Sequence, residues 1–342
     1  MSDLEVSLSG KPKIALYWAS SCGGCEIAVL GIHEKILDVA NAFDIVLWPC
    51  VLDGKVADVE ALKDGELLFT LFNGAIRNDE NYEMAQLLRR KSQLLVAFGS
   101  CAHEGCIPGL ANFSNRRQMF DWIYHNAPTT HNPDGVEPAA GGWEFPEGRV
   151  HIPAYWDTVK TLDQVVDVDY YLPGCPPEAD RIWDALTAIM EGKLPPQGSV
   201  IGAHVTVCDE CLRSKHEKKI TKFYRPHQII PEPDLCLLEQ GILCAGIATR
   251  SGCGALCPQV NMPCRGCYGP NQGVVDQGAR FLSGVASVID SQDPEEIEAI
   301  LDTIPDPAGT FYRFSLPHSL LHRVAWGAHP GESILSGNGQ EA

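Results

Sequence analysis

The placement of the fourteen cysteines constrains this chain more than any other feature. Cys22, Cys25, Cys101 and Cys175 each stand just after an apolar run in the first half. Those runs read as strands: "KIALYWA" (13–19), "DIVLWPCV" (44–51), "ELLFTLF" (66–72), "QLLVAFG" (93–99) and "DVDYYLPG" (167–174). Segments 26–43, 78–92, 115–126 and 176–194 carry helical signals between or beside them. In 26–43 the apolar spacing falls on Ile27, Leu30, Ile36 and Leu37. Strands alternating with helices predict an α/β fold, a flavodoxin-like doubly wound parallel sheet spanning 1–198. In such a sheet the loops leaving the carboxyl ends of the strands share one crevice. "SSCGGCE", "GSCAHEGC" and "PGCPP" are three such loops, so their thiols should converge. Four thiolates around one point suit a 4Fe–4S cube. Glycines 23, 24, 99 and 174 would let backbone approach it and aim N–H groups at its sulfurs. Cys-Gly-Gly-Cys also stands where a flavodoxin cradles phosphate, which argues against FMN. A thioredoxin-like pair at Cys22 and Cys25, or a structural zinc, would explain a lone Cys-x-x-Cys. Adding Cys101 and Cys175 at equivalent strand ends favours the cube.

The other dense group lies in the second half. "VCDECL" supplies Cys208 and Cys211, and "PDLCLLEQGILCAG" supplies Cys236 and Cys244. "SGCGALCPQVNMPCRGC" supplies Cys253, Cys257, Cys264 and Cys267. Eight cysteines divide into two sets of four, and zinc ribbons use similar pairs. Three points favour iron–sulfur. Four ligands within residues 253–267 are compact for a ribbon. Cys257–Pro258 has the Cys-Pro step of ferredoxin motifs. The first half already suggests electron transfer, which one cluster alone seldom completes. "LPPQGSV" (194–200) reads as a linker, and 127–160, rich in Pro, Gly and Asn, as a long loop or insertion. Beyond the linker periodicity fades. Residues 199–342 are therefore expected to form a cysteine-rich, loop-dominated iron–sulfur domain, with a frayed Gly/Ser-rich tail after about 330.

Charge and hydropathy narrow the partners. A net charge of −18 repels nucleic acid and anionic membrane surfaces. "KHEKKITKFYR" (215–225) is a short positive island, either solvated surface or a dock for an acidic redox partner. No apolar stretch reaches the roughly 18 residues of a membrane span. The N-terminal segment has neither a twin arginine nor a long apolar core. The chain is expected to be cytoplasmic, where thiols stay reduced and ligate metal. No GxGxxG follows a strand and no Walker loop occurs, so nucleotide binding is not expected.

The motifs "SSCGGCE", "GSCA", "VDVDYYLPGCPP", "CLLEQGILC" and "SGCGALCPQVNMPCRGC", in this order, resemble the small subunit of nickel–iron hydrogenases. The resemblance spans roughly residues 13–270 and is nearest to the cytosolic, methyl-viologen-reducing type associated with heterodisulfide reductase. It implies three 4Fe–4S clusters: proximal on Cys22, Cys25, Cys101 and Cys175; medial on Cys253, Cys257, Cys264 and Cys267; distal on Cys208, Cys211, Cys236 and Cys244. It implies a separate large subunit carrying the nickel–iron centre. The expected acceptor is heterodisulfide reductase through an iron–sulfur adaptor, with a deazaflavin- or nicotinamide-reducing flavoprotein as alternative. Periplasmic relatives carry histidine at the first distal ligand, where this chain has Cys208. They often carry proline at a medial ligand, where this chain has Cys257. The related complex I subunit has adjacent cysteines at the first motif and lacks the eight-cysteine region. A zinc-stabilised scaffold without redox chemistry is the competing reading from a different class.

Cys50, in a strand-like run, reads as a buried free thiol. Cys106 reads as a structural thiol near the proximal site. Glu26 opens a helix and is favoured there by the macrodipole, with the large-subunit side as a second reading. His103 reads as a partner-facing surface histidine or as a hydrogen-bond donor to a cluster sulfur. His204 is a weak alternative to Cys208 as distal ligand.

Overall fold

A computed structural model describes residues 10–216 and 219–321. Its strands are β1 (Lys13–Trp18), β2 (Asp44–Leu47), β3 (Leu67–Asn73), β4 (Ile76–Asn78), β5 (Ser92–Phe98), β6 (Gly141–Phe145), β7 (Gly148–Ile152), β8 (Tyr155–Lys160) and β9 (Tyr170–Leu172). Five of them form one all-parallel sheet in the order β2-β1-β3-β5-β9. With the short strands outside this sheet set aside, that is the flavodoxin-like order. The strands read as continuous apolar runs because both faces are covered. Ile14, Leu16, Phe69, Leu71, Val96 and Phe98 pack with the Ala179–Met190 helix on one side. Ala15, Phe72, Leu95 and Ala97 pack with Met84, Leu87 and Leu88 of the Asp79–Lys91 helix on the other. Each such fully buried side chain contributes about 1.5–3 kcal/mol. The Asp79–Lys91 helix starts where Asn78 accepts a hydrogen bond from the Asn81 amide, and it ends in Arg89, Arg90 and Lys91.

Several expected elements differ in the structure. The helix expected over 26–43 is two, Gly24–Leu30 and Ile36–Ala42, separated by a turn in which His33 has φ 57°. Its buried apolar residues are Val29, Ile32, Val39 and Phe43, whereas Ile27, Leu30 and Leu37 are exposed. The strand expected over 44–51 stops at Leu47, because Trp48 turns into the core and Val51 and Leu52 hydrogen-bond back to its carbonyl. Cys50 thus lies exposed on a turn and not in a buried strand. The insertion 127–160 holds the β6–β7 hairpin and β8, which pairs antiparallel with β4. The expected linker is itself tied down: Tyr171 donates to Ser199 and accepts from Ile201, extending the sheet edge.

Around the second cysteine group the chain is mostly turns and single-turn helices. The loss of periodicity does not extend to the end. Helices Gln277–Ala286, Pro294–Leu301 and Pro307–Phe311 follow. Phe281, Val285, Ile300 and Phe311 join Ile220, Phe223 and Leu238 in a separate apolar core. A final stretch, 313–321, returns to the α/β unit as a strap. The Cys106 amide donates to the Phe314 carbonyl at 2.9 Å, and Gln164 donates to the Pro317 carbonyl at 2.8 Å. The tail beyond 330 and residues 217–218 of the positive island lie outside the described residues.

Candidate iron–sulfur sites

The carboxyl ends of β1, β5 and β9 position the first set of thiols. β1 runs out into the loop holding Cys22, and Cys25 sits in the first turn of the Gly24–Leu30 helix. β5 passes through Gly99 into the Ser100–Glu104 helix, which carries Cys101. β9 leads through Gly174 to Cys175. Gly99 is required here: its φ is +82° and a Cβ would run into the Cys25 sulfur. Burial pushes the Cys25 thiol far above its ordinary value, and the neighbouring thiols of Cys101, Cys175 and Cys22 push it further. Cys25 therefore lies within electrostatic reach of the other three thiols. Among the described residues, no three His, Cys, Asp or Glu side chains meet closely enough to grip a single ion.

Cys106 belongs to this neighbourhood. Its buried sulfur lies 3.6 Å from the Cys175 sulfur, donating toward it. The contact lowers the Cys175 thiol to about 7, while hydrogen bonding with Cys101 first, and then with Cys175, raises that of Cys106. Glu26 is wholly buried, so it faces no partner surface. Asn73 donates to its Oε1 at 3.4 Å, while burial raises its carboxyl. His103 is also buried and is not a surface histidine. Its ring lies 4.7 Å from that of Tyr171, and its Nε2 lies 3.2 Å from Glu104 Oε1. Burial first, then the His318 charge, lowers it to about 3, so it is neutral.

Glu104 was not legible as a site residue, and neither were its neighbours His318 and Asp163, although His103 was. Its carboxylate is buried between His103 and His318, whose Nδ1 lies 3.5 Å from Oε2. Burial raises Glu104 to about 7. His318 also reaches Asp163 at 3.6 Å, and that contact raises it to about 9. His318 comes from the strap, so only the folded chain assembles this group.

Cys208, Cys211, Cys236 and Cys244 line one recess of about 310 Å³, together with Arg213, Lys215, Gly246 and Pro258. Burial raises the Cys244 thiol to about 12, with Cys208 and Cys236 adding to the rise. A Cβ on Gly246 would stand 3.3 Å from the Cys208 sulfur. Arg213 holds the wall by donating to the carbonyls of Pro258, Glu232 and Leu235. His204 is exposed and does not line the recess.

The set Cys253, Cys257, Cys264 and Cys267 lies between the other two. Burial raises Cys267 to about 12; Cys175, Cys253 and Cys257 act on it as well. Ser100, beside Cys101, donates its hydroxyl to the Cys267 carbonyl. Cys264 is raised by burial and next by Cys244 of the recess, whose neighbour Ala245 donates to the Cys264 carbonyl at 2.9 Å. Cys267 thus neighbours Cys175 of the first set, and Cys264 neighbours Cys244 of the recess.

Known proteins share this sequence over nearly its whole length. Residues 22–189 match the family described as NADH ubiquinone oxidoreductase, 20 Kd subunit, which covers the α/β half. The iron–sulfur subunit of the F420-non-reducing hydrogenase of Archaeoglobus profundus is 38% identical over 319 residues, 91% of this chain and 98% of its own. The subunit of the same name-letter from the F420-non-reducing hydrogenase of Methanothermobacter thermautotrophicus is 37% identical over 322 residues, 92% of this chain and 97% of its own. Among solved structures, a chain of an NAD+-reducing [NiFe]-hydrogenase in the H2-reduced state is 30% identical, with a TM-score of 0.47 over 54% of this chain and 94% of that one. The chain belongs to the nickel–iron hydrogenase small subunits, within the family of F420-non-reducing hydrogenase iron–sulfur subunits.

Proposed function

We propose that this chain carries electrons between the nickel–iron site of a large subunit and an external acceptor through three 4Fe–4S clusters. The observation that carries the reading is the neighbourhood of the cysteines: Cys25 feels Cys22, Cys101 and Cys175, Cys267 feels Cys175, and Cys264 feels Cys244 of the recess. The proximal set would be Cys22, Cys25, Cys101 and Cys175; the medial set Cys253, Cys257, Cys264 and Cys267; the distal set Cys208, Cys211, Cys236 and Cys244. A cube in each would supply reversible one-electron storage. The protein's part is geometric and electrostatic. Strand ends and glycines place the thiols; Cys25, Cys101 and Cys264 are buried, whereas Cys22, Cys175 and Cys257 are exposed. Thiols held this far above their ordinary values need neighbouring positive charge to ionise, which iron provides. Two domains, 1–198 and 199–342, fit the separate apolar cores, with the strap crossing back between them. Among the described residues no helix is long and apolar enough to cross a membrane; the cytoplasmic home is part of the proposal.

For the acceptor we favour heterodisulfide reductase through an iron–sulfur adaptor. The deazaflavin alternative loses ground because the relatives are named F420-non-reducing. The nicotinamide alternative and the zinc scaffold remain outcomes of the tests. Cys208 and Cys257 would give the distal and medial sets four thiolates each, and full thiolate ligation lowers the potential relative to histidine- or proline-substituted sites. Redox titration should find a low medial potential, and one near zero would count against full thiolate ligation. The direct test of function is hydrogen-driven bleaching. With its large subunit under hydrogen, the anaerobic complex should lose visible iron–sulfur absorbance, and Cys267→Ala should block reduction of the distal cluster. Undiminished absorbance in an active complex would contradict the proposal.

A further inference from the structure

The β6–β7 hairpin has no counterpart to pack against among the described residues. Its register pairs Gly141 with Ile152, Trp143 with Val150 and Phe145 with Gly148. Paired residues share a face, so Trp143, Phe145, Val150 and Ile152 make one apolar surface. It is open to solvent: Phe145 is 54%, Val150 53%, Trp143 41% and Ile152 39% exposed. The opposite face is polar, with Glu144, Arg149 and His151, the first two paired at 3.5 Å. A two-stranded ribbon alone is marginal in water, and a one-sided apolar face containing Trp and Phe marks a contact surface.

The base of the hairpin says what would cover it. Two residues beyond β7, the Ala154 carbonyl accepts from the Asp79 amide. Tyr155 opens β8, pairs with Asn78 and stacks under the Arg77 guanidinium at 4.4 Å. Residues 76–79 follow directly on β3, whose last residue, Asn73, holds Glu26 beside Cys25. The hairpin therefore rises from the same carboxyl rim as the proximal thiols. That rim also exposes Trp18, Ile27 and Leu30. The Ser20 amide donates to the Ala75 carbonyl at 3.1 Å, which ties the chain leading to the Cys22–Cys25 loop to the segment leading into β4.

We propose that the β6–β7 hairpin is a clasp, whose apolar face of Trp143, Phe145, Val150 and Ile152 seats on the catalytic large subunit. This rests on reading the chain as an electron-transferring small subunit. The clasp extends the contact beyond the proximal loops and takes no part in ligating iron.

The test is a Trp143→Glu/Phe145→Glu double variant, co-produced with the large subunit and followed by dilution through size-exclusion chromatography. The expected result is at least tenfold weaker association, with the iron content of the small subunit unchanged. Association equal to wild type overturns the proposal. A second variant, with 141–152 replaced by a short Gly-Ser turn, removes the ribbon altogether and should weaken association as much. If it binds like wild type, the clasp is equally overturned. A wild-type chain that dimerises alone, loses this in the double variant and keeps its large-subunit affinity would assign the face to a second copy and overturn the proposal. If the small-subunit reading itself fails, the unaltered chain does not bind the large subunit. If only the clasp fails, wild type and variants bind alike.

Discussion

Cys106 shows how far one residue can be read. Its spacing from Cys101 suggested a thiol near the proximal site, and its sulfur lies 3.6 Å from that of Cys175. A donor to a ligand thiolate stabilises the reduced, more negative cluster, because added negative charge strengthens the hydrogen bond. Cys106→Ala should therefore shift the proximal midpoint potential to a more negative value without loss of iron, and Cys106→Ser should shift it less. An unchanged potential in both would remove the role. Gly99 gives a harsher test. Its left-handed backbone and the nearby Cys25 sulfur leave no room for a methyl group. Gly99→Ala should lose the proximal iron, about four atoms, while the other two sites fill; full iron content would show that the crevice is looser than described. Other residues were misread for a physical reason. Cys50 was expected to be buried because apolar neighbours surround it, but β2 ends three residues earlier. Sequence periodicity reports that a face is apolar, not what lies against it.

At the scale of elements, the five parallel strands and the three cysteine loops at their ends were legible, since continuous apolar runs are distinctive. The 26–43 segment was not legible as two helices. Its apolar stripe at Ile27, Leu30 and Leu37 faces outward, in keeping with a surface awaiting a partner. The strap was also hidden, because its meaning lies in contacts with residues some 150 positions away, as from His318 to Asp163. That contact makes a pH prediction. The His318 pKa in the fold, about 9, exceeds its free value, about 6.5. Its stabilisation is complete below pH 6.5 and is lost as pH rises through about 9. A third of the side chain is exposed, so the contribution is on the order of 1 kcal/mol after screening. Glu104 adds in the same direction: its pKa of about 7 means that the fold disfavours its ionised form, so stability falls between pH 4.5 and 7. His103 opposes this below about pH 6.5, because its pKa of about 3 in the fold lies below the free value. Thermal melting should therefore change little from pH 5 to about 6.5 and drop from there to pH 9, and His318→Gln should flatten that drop. An unaltered slope in that variant would contradict the assignment.

At the scale of the molecule, the chain trades part of an ordinary core for thiol-lined sites. Residues 14–201 bury two sheet faces, whereas the core of the second half combines Ile220, Phe223, Leu238, Ala245 and Ala248, set among its cysteines, with residues of the helices that follow them. Metal binding then becomes part of folding, so chelation should unfold the second half before the α/β unit. Limited proteolysis checks this. Cleavage within 205–270 should appear first on iron removal, and equal protection of both halves would count against it. The most direct measurement on the central claim is metal content of the anaerobically purified chain. Three cubes predict brown protein with about twelve iron atoms and matching acid-labile sulfide. Colourless protein with stoichiometric zinc and no sulfide would contradict the account.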